Sequence, residues 1–154
     1  PIFKKNELNK IIKDSINLMK TNDKDIVINF NTEEVHYVNS DTEQLNRVFI
    51  NLLKNSIESL KEKHQKTGDF KKKIDVEIQL INDYISIVVQ DNGTGFTNND
   101  LKTLSKPYFT TKKEGSGLGL SIVEKILNDH NGFIEFISQK EGAKIKILLP
   151  KYVN

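Results

Sequence analysis

The sequence predicts an α+β domain, a two-layer sandwich with helices on one face of a mixed sheet. Three observations carry that expectation. KIDVEIQL (73–80) and YISIVVQ (84–90) alternate apolar and polar residues around Asn82-Asp83, the pattern of a β-hairpin. FIEFI (133–137) and AKIKILL (143–149) repeat that pattern across Glu141-Gly142. Between residues 45 and 60, Leu45, Val48, Phe49, Leu52, Leu53, Ile57 and Leu60 recur at helical spacing and form one long apolar stripe. Strand-like runs outnumber helical ones and are mostly hairpin-paired.

The remaining elements follow in chain order. Asn6 is placed to cap a helix carrying Leu8, Ile11, Ile12, Ile16 and Met19. DIVINF (25–30) and VHYV (35–38) read as short strands. Ser40-Asp41-Thr42-Glu43 reads as a capping box, with Ser40 at the cap and Glu43 three residues on. The polar run 61–73, KEKHQKTGDFKKK, reads as a flexible loop. NNDLKTLS (98–105) reads as a short helix, and 106–116 lacks periodicity and reads as a loop. Leu118 to Asn131 reads as a helix with Gly132 just past its end.

Composition bounds the function. A chain of 154 residues with 36% hydrophobic and 29% charged residues is expected to fold as one domain, 1–154, with its own core. No apolar run approaches the roughly 18 residues that span a bilayer, and there is no signal-peptide pattern. The chain opens on Pro1, which suggests a segment of a longer protein. It has no cysteine, so disulfides and thiolate metal sites are excluded. A net charge of +2 offers no basic footprint, and no nucleic-acid partner is expected.

Four short stretches carry chemistry. In KEGSGLGLS (113–121), Gly115, Gly117 and Gly119 stand at alternate positions ahead of a helix. Glycine lets an anion approach the backbone, and a helix start supplies unpaired N–H groups; a flexible hinge is the competing reading. The spacing matches neither the dinucleotide fingerprint nor the P-loop. In DNGTGF (91–96), Asp91 ends a strand and can accept a hydrogen bond from an exocyclic amine, with Gly93 and Gly95 letting the chain double back; an ordinary turn is the competing reading. In Asn51-Leu-Leu-Lys-Asn55, two carboxamides share one helix face beside the apolar stripe, where asparagine is otherwise disfavoured. Their oxygens suit Mg²⁺. In PYFTTKK (107–113), Tyr108 and Phe109 could anchor a lid and Lys112 could reach a phosphate.

Taken together and in this order, Asn51–Asn55, DNGTGF, PYFTTK and GSGLGLS resemble the N box, first glycine box, phenylalanine box and second glycine box of the catalytic, ATP-binding domain of bacterial sensor histidine kinases. That domain belongs to the superfamily shared with DNA gyrase, Hsp90 and MutL, and the wording is most similar to nitrogen-regulation sensors of the NtrB and NtrY kind. The resemblance covers about Lys4 to Pro150. It implies the Bergerat fold: a mixed five-stranded sheet with about three helices. It implies ATP and Mg²⁺ as ligands. Asp91 would hold the adenine amine, Gly93 and Gly95 would shape its pocket, and Phe109 of the lid would join the nucleotide site. Asn55 would ligate Mg²⁺, with Asn51 near the phosphates. Gly115, Gly117 and Gly119 would cradle the phosphates, with Leu118 beside them in the nucleotide site, and Lys112 or Lys113 would touch the γ-phosphate. Residues 106–116 would form the lid and 1–5 a linker from a dimerisation domain.

The resemblance also implies a protein histidine kinase, transferring the γ-phosphoryl group to a histidine on that separate domain and signalling through a response regulator. The related ATPases carry Glu at the position of Asn51, where it activates water; Asn cannot, which favours phosphoryl transfer over hydrolysis. His36, His64 and His130 lack the acceptor's sequence surroundings and read as structural or solvent-facing, so this segment should bind ATP and not phosphorylate itself. A monomeric segment of a homodimeric protein is implied, cytoplasmic, with the subfamily leaning toward a parent anchored in the bacterial inner membrane. The competing readings are an ATPase of the same superfamily, an anti-sigma-type serine kinase, and an interaction module that has lost its nucleotide; the last would show broken boxes.

Overall fold

The computed structural model describes residues 1–20, 25–95, 117–137 and 139–154. In chain order the elements are β1 (Lys4–Glu7), α1 (Leu8–Leu18), β2 (Ile26–Phe30), β3 (Tyr37–Ser40), α2 (Thr42–Thr67), β4 (Lys72–Ile81), β5 (Tyr84–Asp91), α3 (Gly117–Asp129), β6 (Phe133–Ile137) and β7 (Lys144–Pro150). The expected helix at 98–105 and loop at 106–116 lie outside the described residues.

The main sheet has the order β2-β4-β5-β7-β6. β2 runs parallel to β4 and the other pairs are antiparallel, so the sheet is mixed, as expected. The period-two strands place Ile74, Val76, Ile85, Ile87, Val89, Ile145, Ile147 and Leu149 in the core. Facing them are Leu45, Val48, Phe49, Leu52 and Leu60 of α2 and Val123, Ile126 and Leu127 of α3. α2 is the central helix: it packs on β4 and β5, with α1 and α3 beside it. Among the described residues, no helix is long and apolar enough to cross a membrane.

Asn82, with φ +55°, turns the β4–β5 hairpin where the sequence placed it. At the start of the chain three ends differ from expectation because a distant partner intervenes. Lys4 and Lys5, expected in a linker, belong to β1, which pairs antiparallel with β3. Asn6 does not cap α1; its side-chain amide donates to the Ser40 carbonyl at 2.8 Å and hydroxyl at 3.2 Å. The first amide of α1, on Leu8, donates instead to the His36 carbonyl at 2.8 Å. Ser40 therefore lies in β3, fully buried, and the cap of α2 moves one residue on to Asp41, whose Oδ1 accepts the Gln44 N–H at 3.0 Å.

The polar stretch from 61 is not a loop until Gly68. Lys, Glu and Gln are good helix formers, Lys66 pairs with Glu62 at 3.2 Å, and α2 runs on to Thr67. At the end of α3 the left-handed residue is Asn131, φ +57°, rather than Gly132, whose amide donates to the Leu127 carbonyl at 2.7 Å. α3 begins at Gly117, so Gly117, Leu118 and Gly119 are its first turn rather than a segment ahead of it.

Candidate functional site

β5 delivers Asp91 to the edge of the core, 4% exposed. Its Oδ1 accepts the Gly93 N–H at 2.8 Å and the Ala143 N–H at 3.3 Å, and its own amide donates to the Ala143 carbonyl at 2.9 Å. Two segments thus hold one carboxylate: the turn that follows β5 and the loop that precedes β7. The second segment lies flat on the first. A Cβ on Gly142, φ +75°, would collide with the Asp91 carbonyl oxygen, so this contact requires glycine.

The turn after β5 docks on α2. A Cβ on Gly93 would collide with the Ser59 hydroxyl, so glycine there permits close approach to the helix. Ser59 Oγ accepts the Thr94 N–H at 2.9 Å and hydrogen-bonds the Thr94 hydroxyl at 3.1 Å. One turn further, Lys63 Nζ donates to the Asn92 carbonyl at 2.8 Å and to Glu141 at 3.0 Å, bridging both segments around Asp91. The Asn92 side chain ties the turn to the start of β4, donating to the Lys71 carbonyl at 2.7 Å and accepting the Lys73 N–H at 2.9 Å.

Residues 51, 55, 59 and 63 stand four apart on α2, about 6 Å per step along one face. The later two grip the Asp91 turn; Asn51 and Asn55 continue the same face toward the helix start. Both asparagines are half-buried, and the Asn51 amide donates back to the Arg47 carbonyl at 2.8 Å. Ser59, Lys63, Asn92 and Gly142 were not singled out from the sequence. The available signal was the four-residue recurrence of polar residues at 51, 55, 59 and 63 within an apolar helix.

α3 packs on α2, and His130, just past its end, meets the cap of α2 at Asp41. α3 therefore runs back along α2. Its 13 residues cover about 20 Å. The described contacts seat Gly93 and Thr94 on Ser59 and Asn92 on Lys63, while Asn51 and Asn55 lie on the same face of α2 nearer its start. Phe109, Lys112 and Gly115 lie outside the described residues.

Lys63 beside Glu141 holds that carboxyl below the usual range, chiefly through its hydrogen bond. Burial on α3 raises Glu124. Among the described residues, no group of three or more His, Asp or Glu could hold a metal. His36 and His130 are buried, and His64 sits 3.4 Å from Asp69.

Residues 40–153 match the family described as histidine kinase-, DNA gyrase B-, and HSP90-like ATPase. A putative sensor histidine kinase, NtrY-like, of Rickettsia conorii is 36% identical over 96% of this chain and 24% of its own length. Sporulation kinase C of Bacillus subtilis is 35% identical over 96% of this chain and 34% of its own. The chain thus spans about a quarter to a third of the curated relatives it matches. The catalytic domain of histidine kinase ThkA, in a nucleotide-free form, superposes with a TM-score of 0.80 at 28% identity, covering 98% of this chain and 97% of that one. ThkA in complex with the response regulator protein TrrA superposes at 0.74 and 26% identity, covering 97% of this chain and 42% of that one. Matched over most of its length by that family model, carrying the family's helix-on-mixed-sheet fold and its ordered boxes, the chain belongs to the histidine kinase-, DNA gyrase B- and HSP90-like ATPases and is an ATP-binding domain of the kind found in sensor histidine kinases.

Proposed function

We propose that the domain binds Mg·ATP between α2, the Asp91 turn and the glycine end of α3, and presents the γ-phosphoryl group to a histidine on a separate dimerisation domain. The observation that carries this reading is the buried Asp91 carboxylate, aimed by the Gly93 and Ala143 amides and standing beside the helix face that bears Asn51 and Asn55. An ionised carboxylate only accepts hydrogen bonds, so it selects a donor such as the adenine 6-amine. Asn55 supplies a carboxamide oxygen to Mg²⁺ and Asn51 lies near the phosphates. Gly117, Leu118 and Gly119 offer the unpaired amides of a helix start to the phosphates, with Gly115. Lys112 neutralises the γ-phosphate, Phe109 packs in the lid formed by 106–116, and Gly95 completes the adenine pocket.

Among the described residues no carboxylate–imidazole cluster could hold a metal by itself, and a site of one carboxamide suits Mg²⁺, which keeps waters and takes further oxygens from phosphates. With Asn55 as its protein ligand, Mg²⁺ would supply charge neutralisation at the phosphates. Asn51 in place of an acid leaves water without a general base, so the γ-phosphoryl group is kept for the imidazole. Nucleotide binding in the micromolar range follows, about −5.5 to −8 kcal/mol. The transfer partners are a dimerisation domain that carries the acceptor histidine and a response regulator, as ThkA is found in complex with one. A homodimeric, cytoplasmically exposed kinase is the assembled form.

The test mixes the domain with Mg·ATP and a separately made acceptor domain. Acid-labile, base-stable phosphate on histidine is the expected product. Phosphate release without phosphohistidine would instead support the ATPase reading.

A further inference from the structure

We propose that Lys63 is a positioning residue that sets the adenine selectivity of this site. The proposal rests on the reading of Asp91 as the group that meets the base. Lys63 lies two turns beyond Asn55 on α2, and its side chain is 20% exposed. Its ammonium spans the two segments that orient Asp91: it donates to the Asn92 carbonyl at 2.8 Å and to Glu141 Oε1 at 3.0 Å. Each contact lies close in sequence to a donor on Asp91 Oδ1, Asn92 beside Gly93 and Glu141 two residues before Ala143. The same ammonium sits 4.6 Å from the centre of the Phe70 ring, a cation–π contact that adds to its hold on this position. One cation on the asparagine-bearing helix thereby ties together both amide donors that aim the carboxylate.

The consequence is chemical. A carboxylate accepts from the 6-amine of adenine and opposes the 6-carbonyl oxygen of guanine. That difference is large only while the carboxylate is held in place, since a site built around one hydrogen bond discriminates through the groups left unpaired by the wrong ligand. Removing the Lys63 charge removes the bridge between Asn92 and Glu141 and leaves the Asp91–Ala143 hydrogen bonds alone to hold the two segments together. The carboxylate then spreads over more orientations, ATP loses affinity, and GTP is rejected less. Ser59 still holds Thr94 on the far side of Gly93, so the turn remains on the helix.

The experiment measures Mg·ATP and Mg·GTP affinities calorimetrically for the wild type, Lys63→Met, Lys63→Arg and Glu141→Gln. Lys63→Met keeps an unbranched side chain of similar reach and removes the donor; it is expected to weaken ATP about tenfold and to shrink the ATP-over-GTP preference by a comparable factor. In transfer to a supplied acceptor domain it should raise KM for ATP more than it lowers the limiting rate. Lys63→Arg, which retains a charged donor, should restore most of the preference. Glu141→Gln removes one charge of the bridge at an exposed position and should lower the preference in part, so it carries the same measurement if Lys63→Met fails to fold. A folded Lys63→Met or Glu141→Gln with the wild-type ATP/GTP ratio would overturn the role of Lys63 alone. A wild type that binds ATP and GTP equally would overturn the adenine role of Asp91 and this proposal with it.

Discussion

His130 Nε2 accepts a hydrogen bond from the backbone N–H of Asp41 at 3.1 Å, 89 residues away in the chain. Its Nδ1 lies 2.7 Å from the Ile126 carbonyl. A carbonyl can only accept, so Nδ1 is the donor toward Ile126 and Nε2 the acceptor from Asp41. Phe3 tilts onto the same ring at 4.7 Å between centroids, and the Asp41 side chain accepts the Ile2 N–H at 2.8 Å. The incoming strand, the start of α2 and the end of α3 are thereby joined at one place. His130→Ala should leave the Asp41 amide without its acceptor and open space under Phe3. A loss of about 1–3 kcal/mol is expected, read as a lower urea midpoint with an unchanged slope.

Asp41 has a carboxyl held below its ordinary value, first by the Ile2 backbone hydrogen bond and then by that of Gln44. A depressed pKa means that the ionised form favours the folded state. The contribution is complete above the unfolded value near 3.8 and is lost as pH falls through the lower folded value. Asp41→Ala should cost about 0.5–2 kcal/mol at neutral pH through loss of the cap. Stability curves of Asp41→Asn and the wild type should converge as pH drops below 3.8.

Replacing Asp91 with alanine removes the acceptor proposed for the adenine amine. A charged hydrogen bond worth about 1.5–3 kcal/mol is lost, so ATP affinity should fall ten- to over a hundredfold in calorimetry. Circular dichroism on the same sample checks the fold, because Asp91 also holds the Gly93 and Ala143 amides. An unchanged affinity would remove Asp91 from the base pocket.

Asn55→Ala is expected to abolish phosphoryl transfer while leaving nucleotide binding measurable. Radiolabel on a supplied acceptor domain and calorimetry on the same variant separate the two. Transfer at the wild-type rate would take Asn55 out of the metal site.

Gly142→Ala tests the contact that seats the loop before β7 on Asp91. The new methyl group meets the Asp91 carbonyl oxygen, and φ of +75° is strained for alanine. Strain and clash together should exceed about 2 kcal/mol, seen as a lower thermal midpoint. Because the loop carries Ala143, ATP affinity should fall with it.

The stripe that makes α2 and the alternation that makes β4, β5, β6 and β7 are local patterns. A helix repeats every 3.6 residues and a strand every two, so one face of each can be read from a few consecutive side chains. The Asn82 turn is likewise short-range chemistry, and the boxes stood in the order that marks the family. β1 was not legible, because Lys4–Glu7 has no apolar alternation and becomes a strand only by pairing with Tyr37–Ser40. The polar end of α2 read as a loop because it lacks an apolar stripe, although its helix propensity and the Glu62–Lys66 pair are local; Lys63's partners Asn92 and Glu141, 29 and 78 residues on, add to it only in the folded chain.

From sequence alone came the layers of the fold, the glycine and asparagine boxes, and the expectation that one carboxylate meets a base. Tertiary structure alone decided how that carboxylate is held from outside its own turn: by the Ala143 amide, by Gly142 lying on its backbone, and by Ser59 and Lys63 reaching across from α2. The physical reason is range. Periodicity and turn propensity act between neighbours in the chain, whereas a hydrogen bond between residues tens of positions apart exists only once packing has brought them within 3 Å, and no short stretch of sequence encodes that meeting.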